Sequence, residues 1–230
     1  MLSAIKNKIK NAGIFGKSRY GKTWKDRDNE WYSALFDGTP LVHENFIEFL
    51  KGKKDIKTVL EVGCGTGIYP IKFNNLFYNA KYTGVDISEK AIAYCKKNSQ
   101  FEFICGDFLK VQLHQNFDLV FSHAVIDHVY DIDLFLSKLV KASNKYVYVS
   151  SYRGYFPDLN KHRMNWRDDD GCYYNDLSVS QIRKILLENG LSEEEFVTRP
   201  QKSGQKNKQL ELETVIEINK KNFTLTRSTS

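Results

Sequence analysis

A chain of 230 residues is long enough for one substantial core with an extension, and 41% hydrophobic with 27% charged residues is ordinary globular composition. No stretch approaches the roughly 20 apolar residues of a membrane span. Met1 to Lys10 interleaves lysines with Leu2, Ile5 and Ile9, where a secretory signal would have a continuous apolar run. The expected location is therefore the cytoplasm. The +6 net charge is uneven: residues 1–27 hold eight Lys/Arg against Asp26 alone, so the remainder of the chain sums to −1. A nucleic-acid enzyme would more often carry its positive field around the catalytic face, so this distribution is only weak support for nucleic acid, which is not the expected partner. It suggests instead a basic helical extension or lid over residues 1–38.

In chain order, Leu41, Val42, Phe46, Ile47, Phe49 and Leu50 recur at helical spacing after Thr39-Pro40 and stop at Gly52. Short apolar runs then alternate with amphipathic stretches, the pattern of parallel strands joined by crossover helices. Strands are predicted at 57–62, 81–86, 101–105, 117–121 and 145–151, and helices at 67–76, 89–98 and 132–142, the last capped by Asp131. The alternation stops at residues 152–177, a loop-rich insertion. Ser178 and Gln181 have capping-box spacing and open a helix that ends at Gly190. Two strand-like segments, 195–199 and 210–218, are predicted to form an antiparallel hairpin, and residues 221–230 a tail. The predicted fold is α/β: a Rossmann-like, seven-stranded, mostly parallel sheet closed by a C-terminal hairpin, with helices on both faces, in one domain at 39–220.

The first predicted strand runs directly into Gly63-Cys64-Gly65-Thr66-Gly67. Glycines at alternate positions let the backbone turn sharply into a helix and approach a ligand closer than a Cβ would allow. Asp86 ends the next strand about 20 residues further on, where an acidic group binds the hydroxyls of a ribose. Ordered in this way, the two features point to a cofactor that contains adenosine.

These segments resemble the class I S-adenosylmethionine-dependent methyltransferases, over roughly residues 40–220. Glu61-Val62-Gly63-Cys64-Gly65-Thr66-Gly67 is similar to that family's first motif and Val85-Asp86-Ile87-Ser88 to its second. Cys105-Gly106-Asp107-Phe108 is similar to the third, and Phe117 to His123, including Ser122, to the fourth. The resemblance implies S-adenosylmethionine as cofactor and S-adenosylhomocysteine as product. It implies that Asp86 and Ile87 lie beside the ribose, and that Asp107 and Phe108 lie beside the adenine. Tyr20 is a candidate for the methionine carboxylate, as an N-terminal Tyr is in some relatives.

The sulfonium methyl is already electrophilic, so an enzyme has mainly to hold an acceptor in line and exclude water. An alcohol acceptor must also lose a proton, which a general base would take. Candidates cluster after the fourth strand: His123 first, then the pair Asp127 and His128, where the His of such pairs often only packs and hydrogen-bonds. Two aromatic and polar stretches are expected to cover the substrate, one with Trp24, Arg27 and Trp31, the other with Tyr152, Arg153, Tyr155, His162, Arg163 and Trp166. The expected acceptor is a small molecule, methylated on oxygen in preference to nitrogen. Arg153, His162 and Arg163 point to an anionic one, such as a phosphorylated metabolite or nucleotide-linked sugar. Neither Asn/Asp-Pro-Pro-Tyr nor Pro-Cys occurs in the fourth motif, which disfavours nucleic-acid bases and leaves an RNA ribose as an alternative. A silent S-adenosylmethionine-binding module acting through the basic extension is another, and a nicotinamide-dependent oxidoreductase a third. No metal site is expected: Asp168-Asp169-Asp170 reads as a solvated loop, and Cys64, Cys95, Cys105 and Cys172 as reduced thiols without zinc-site spacing.

Overall fold

The computed structural model describes residues 20–38, 40–72, 76–77, 79–202 and 211–221. The most basic part of the extension, the polar linker before the last strand and nearly all of the expected tail lie outside the described residues. Two short helices come first, α1 (Lys22–Lys25) and α2 (Asn29–Asp37), followed by α3 (Pro40–Leu50). Asp28 caps α2 by accepting the Trp31 amide at 2.9 Å.

The alternating region folds as β1 (Thr58–Val62), α4 (Ile68–Lys72), β2 (Lys81–Asp86), α5 (Glu89–Asn98), β3 (Glu102–Cys105), β4 (Phe117–His123), α6 (Ile132–Ala142) and β5 (Ser143–Ser151). The insertion is not only loop. It contains an antiparallel hairpin, β6 (Arg163–Arg167) and β7 (Cys172–Asp176), turned at Asp168 to Gly171. After α7 (Val179–Glu188) the chain ends in β8 (Phe196–Lys202) and β9 (Leu212–Asn219). Asp131 and Ser178 cap α6 and α7 as their spacing predicts. Gln181, however, does not close a capping box. Its side chain accepts the His162 amide and donates to Asp133, so it ties the insertion to α6.

The sheet order is β3-β2-β1-β4-β5-β9-β8, parallel except where β9 pairs antiparallel with β5 and β8. Strand order reverses between β1 and β4, the place where open α/β sheets bind ligands beyond their carboxyl ends. Side chains alternate between the two faces. Leu60, Val62, Val120, Val147, Val149, Ile216 and Ile218 meet α6 and α7 on one face. Val59, Tyr82, Leu119, Phe121, Tyr148 and Val215 meet α3, α4 and α5 on the other, in a layer rich in aromatic rings. No helix among the described residues is long and apolar enough to cross a membrane.

Leu139 is fully buried in the first layer. Leu139→Ala should therefore lower unfolding free energy by about 2–5 kcal/mol, read from the denaturant midpoint at unchanged slope.

Candidate functional site

A cavity of about 320 Å³ opens at the carboxyl ends of β1, β2 and β4, under a cover made by Tyr20, Trp24, Trp31 and Tyr32. One end is the glycine loop. Gly63 and Gly65 have φ of 80° and 51°, which L side chains rarely adopt. A Cβ at Gly63 would lie 2.1 Å from a Val125 methyl, and one at Gly65 would lie 2.8 Å from the Tyr32 ring. The loop is thus packed on its own side chains and presents backbone to the cavity. Ala124 (φ 57°) also turns left-handed directly after β4, its amide donating to the Ser150 carbonyl, and this bend brings Val125 over Gly63.

Asp86 ties the two motifs together. One carboxylate oxygen accepts the Gly65 amide at 2.8 Å and the other the Ser88 amide at 2.8 Å. Burial raises its pKa above the ordinary carboxylate value, opposed by these backbone donors. The two oxygens keep acceptor capacity beyond these backbone donors. Asp107 accepts the Leu109 amide at 3.0 Å and the Tyr130 hydroxyl at 2.9 Å, and Tyr20 packs edge-on against Tyr130 with centroids 4.9 Å apart. Asp107 and Phe108 line the cavity with Ile87 and Tyr20, and Thr66, whose buried hydroxyl has no hydrogen-bond partner, lines it as well. Cys64 also lines the cavity. Ser122 does not; its hydroxyl donates to the Val62 carbonyl at 2.8 Å on the opposite face of the sheet. Gly67 lies just behind the wall, against Cys95 and Phe103.

The other end belongs to the aromatic layer. The two-residue pleat that places Phe121 in that layer also places His123 there, at the end of β4. Its Nδ1 is 2.8 Å from the Ser150 hydroxyl, its ring stacks on Tyr69 at 5.1 Å, and its Nε2 is buried without a partner. Complete burial, with His43 nearby, pushes its pKa down to about 3. His123 is therefore neutral at any working pH, a hydrogen-bonding group far too weak as a proton acceptor near neutrality.

Asp127 and His128 are placed apart from His123. Asp127 is fully buried outside the cavity, accepting from the Ser151 hydroxyl at 2.5 Å and the Arg153 amide at 3.3 Å, with its second oxygen unpartnered. Desolvation raises it to about 7. His128 does reach the wall, but both ring nitrogens are engaged. Nδ1–H donates to the Tyr173 carbonyl at 2.7 Å, so Nε2 accepts from the Tyr152 hydroxyl at 3.1 Å, and Trp24 lies over the ring at 4.8 Å. Burial lowers its pKa to about 4.

The second substrate stretch mostly misses the cavity. Of its residues only Tyr152 is on the wall. Arg153 and Arg163 both pair with Asp176, at 3.2 and 3.3 Å, and His162 accepts the Ser178 amide at 2.9 Å. Tyr155 lies in the loop after β5, and Trp166 on the hairpin donates to Asp168 at 2.7 Å. Arg27 belongs to a separate cleft with Lys22, Asp169 and Asp170. Among the described residues that line the cavity there is no Lys or Arg, so the cationic group expected for an anionic acceptor is not among them. No cluster of His, Cys, Asp and Glu fit for a metal occurs among the described residues.

The wall residues missed by sequence reasoning include His43, Tyr69 and Glu213. His43 Nε2–H donates to the Phe36 carbonyl at 2.9 Å, leaving Nδ1 to accept from the Tyr69 hydroxyl at 2.6 Å. Glu213 was detectable. It falls in phase with Val215 on a strand whose other in-phase position faces the core, so an acid there had to be buried.

Residues 53–221 match the family model described as a methyltransferase domain, and the chain belongs to that family. Among curated proteins it is 26% identical over 145 residues to malonyl-[acyl-carrier protein] O-methyltransferase 2 of Ilyobacter polytropus, covering 60% of this chain and 56% of that one. It is 36% identical over 86 residues to the corresponding protein of Bacillus cytotoxicus, covering 36% of this chain and 30% of that one. The matches thus span between about a third and about a half of these relatives' length. The plantazolicin methyltransferase BpumL, solved with S-adenosylhomocysteine, superposes with a TM-score of 0.60 at 19% identity over 94% of this chain and 99% of its own. The magnesium protoporphyrin IX methyltransferase of Synechocystis PCC 6803, solved with S-adenosylmethionine, gives 0.57 at 19% over 90% and 92%. The fold is that of the class I S-adenosylmethionine-dependent methyltransferases.

The Asp127 carboxyl carries a raised pKa in the fold and an ordinary one, near 3.8, when unfolded. The folded state therefore holds the proton more tightly, and the contribution to stability, complete below about pH 4, is lost as pH rises toward about 7. Asp127→Asn should flatten that part of the stability–pH curve, measured by urea denaturation between pH 4 and 8.

Proposed function

We propose that the cavity takes S-adenosylmethionine against the glycine loop and that the chain transfers its methyl group to an oxygen of a small molecule seated toward His123. The observation that carries this reading is the position of Asp86: at the end of β2, beside the strand-order reversal, joined to the glycine loop through the Gly65 amide, with lone pairs left for ribose hydroxyls. The residues fit the cofactor. Asp86 would hold the ribose, Asp107 and the backbone at Phe108 the adenine with Tyr20 packed beside them through Tyr130, and Thr66 and Glu61 the polar methionine end. When bound, the cofactor supplies an electrophilic methyl on a positively charged sulfur.

The remaining work falls to the chain. Tyr20, Trp24 and Tyr32 exclude water over the loop, and α1 and α2 act as a lid over the domain that begins near residue 39. His128 acts as a positioning residue, fixing the Tyr152 hydroxyl at the wall. Oxygen as the methylated atom is supported by the names of the curated relatives, which are O-methyltransferases.

The test is calorimetric titration of the purified chain with S-adenosylmethionine and S-adenosylhomocysteine. Both should bind in the micromolar range, and Asp86→Ala should weaken binding at least about tenfold, which is about 1.4 kcal/mol. A folded protein that binds neither ligand would refute the proposal.

A further inference from the structure

Four polar residues share the aromatic face of the sheet at the ligand end: Glu61, His123, Ser150 and Glu213. His123 lies beside Ser150 in the β4–β5 register, and Ser150 lies opposite Val215 in the β5–β9 register. Glu213 is two residues before Val215 and so projects to the same side, diagonal to Ser150 at about 7–8 Å between backbones. It is 1% exposed yet on the cavity wall, where its carboxyl accepts from the Gln201 side-chain amide at 2.5 Å. Tyr69 is flanked by the charges of Glu61 and Glu213, and its ring lies flat on His123. One end of the cavity thus combines a neutral imidazole with an unpartnered nitrogen, a desolvated carboxyl held from behind, and ring-shaped walls from Phe36, Tyr69 and Trp31.

We infer that Glu213 is the general base of this enzyme and that the acceptor is an uncharged compound carrying a hydroxyl on an aromatic ring. The inference rests on the cofactor reading above. The acceptor oxygen forms its new bond to the methyl carbon, the carbon–sulfur bond breaks with its electron pair staying on sulfur, and the hydroxyl proton passes to a Glu213 carboxylate oxygen and then to solvent. His123 Nε2 contacts the same hydroxyl without taking its proton. A carboxylate acceptor would be set against a buried acid, and like charges at close range in a desolvated site are strongly unfavourable. A hydroxyl instead brings the proton that the acid can accept.

Burial raises Glu213 to about 7, a value suited to accepting a proton near neutrality. The groups that face it are Gln201 and Arg199 on β8, Tyr148 on β5 and Tyr69 on α4, while Asp127 after β4 acts on it from the other face of the sheet. Gln201 donates to it, the Asp127 charge raises its pKa, and Arg199 lowers it weakly because its guanidinium is paired with Glu217 at 2.6 Å.

The experiment uses the full chain with saturating S-adenosylhomocysteine and two ring probes of similar size, 4-methylphenol and 4-methylbenzoate. At pH 8, 4-methylphenol should bind at least tenfold more tightly than 4-methylbenzoate. Glu213→Gln, which keeps shape and can keep a bond to Gln201, should bind S-adenosylhomocysteine within twofold of wild type yet lose at least tenfold in 4-methylphenol affinity. In wild type that affinity should rise with pH through about 7, and in the variant it should not. Tighter binding of 4-methylbenzoate, no binding of 4-methylphenol, or an unchanged pH profile in Glu213→Gln would each overturn the inference. If the folded wild type bound no S-adenosylhomocysteine, the cofactor reading would fail first, a result that the probe titrations do not mimic. Should Glu213→Gln not fold, the wild-type pH profile and the probe preference still decide the matter.

Discussion

The hydrogen bond from the Gly65 amide to the Asp86 carboxylate joins the ends of β1 and β2 at the strand-order reversal. Without it, the loop from Gly63 to Gly67 would be a run of glycines with little to choose one left-handed path over another, at a cost in backbone entropy. With it, the loop is pinned at one end by an ionisable group and packed at the other by Val125 and Tyr32. The Asp86 pKa reflects this compromise. Burial penalises the charge, while the Gly65 and Ser88 amides, with backbone help at Ile87, favour it. The same carboxylate thus shapes the loop and remains the nearest acid to whatever ribose the loop would hold.

The pleat distributes chemistry from there. Because successive side chains alternate, one face at the ligand end carries Ser122, Ser151 and Thr214, whose hydroxyls are spent on Val62, Asp127 and Gly154. The opposite face carries Glu61, His123, Ser150 and Glu213. Asp127 therefore belongs to a scaffold cluster although it is only four residues from His123. Its burial among Ser151 and Arg153 braces the turn after β4 and leaves it no route to a ligand.

This division also explains what the sequence could and could not reveal. The sheet, its closing hairpin and the ordered glycine loop with Asp86 were legible because strand periodicity and turn chemistry are local signals, whereas Asp107 was marked only by the resemblance of its motif to the family's third. The β6–β7 hairpin was not, since the alternation of Arg163 to Arg167 rests on Met164 and Trp166 alone, amid charged residues, and the strand forms by pairing with Cys172 to Asp176. The arginines of that segment looked like an anion site because sequence shows charges and not their partners. Asp176 pairs with both Arg153 and Arg163, and it is a single residue in an unremarkable run. Glu213 was legible as a buried acid but not as a neighbour of Ser150: its register relative to Ser150 is a property of β9 pairing with β5, a contact across more than 60 residues.

Burial then inverts the usual inventory of acids and bases. In water a histidine is the side chain suited to accept a proton near pH 7 and a carboxylate is too acidic to do so. Here desolvation acts against whichever form is charged. It drives His123 down to about 3 and His128 to about 4, and it lifts Glu213 to about 7. The shifts run in opposite directions because the charged form is the protonated one for imidazole and the deprotonated one for a carboxyl. A buried, aromatic end of a cavity therefore makes its histidines into fixed hydrogen-bonding groups and its carboxyl into the titrating one. The choice of Glu213 over His123 as the group that exchanges a proton follows from that environment, in which the imidazole chosen on residue type alone is the group least able to hold a charge.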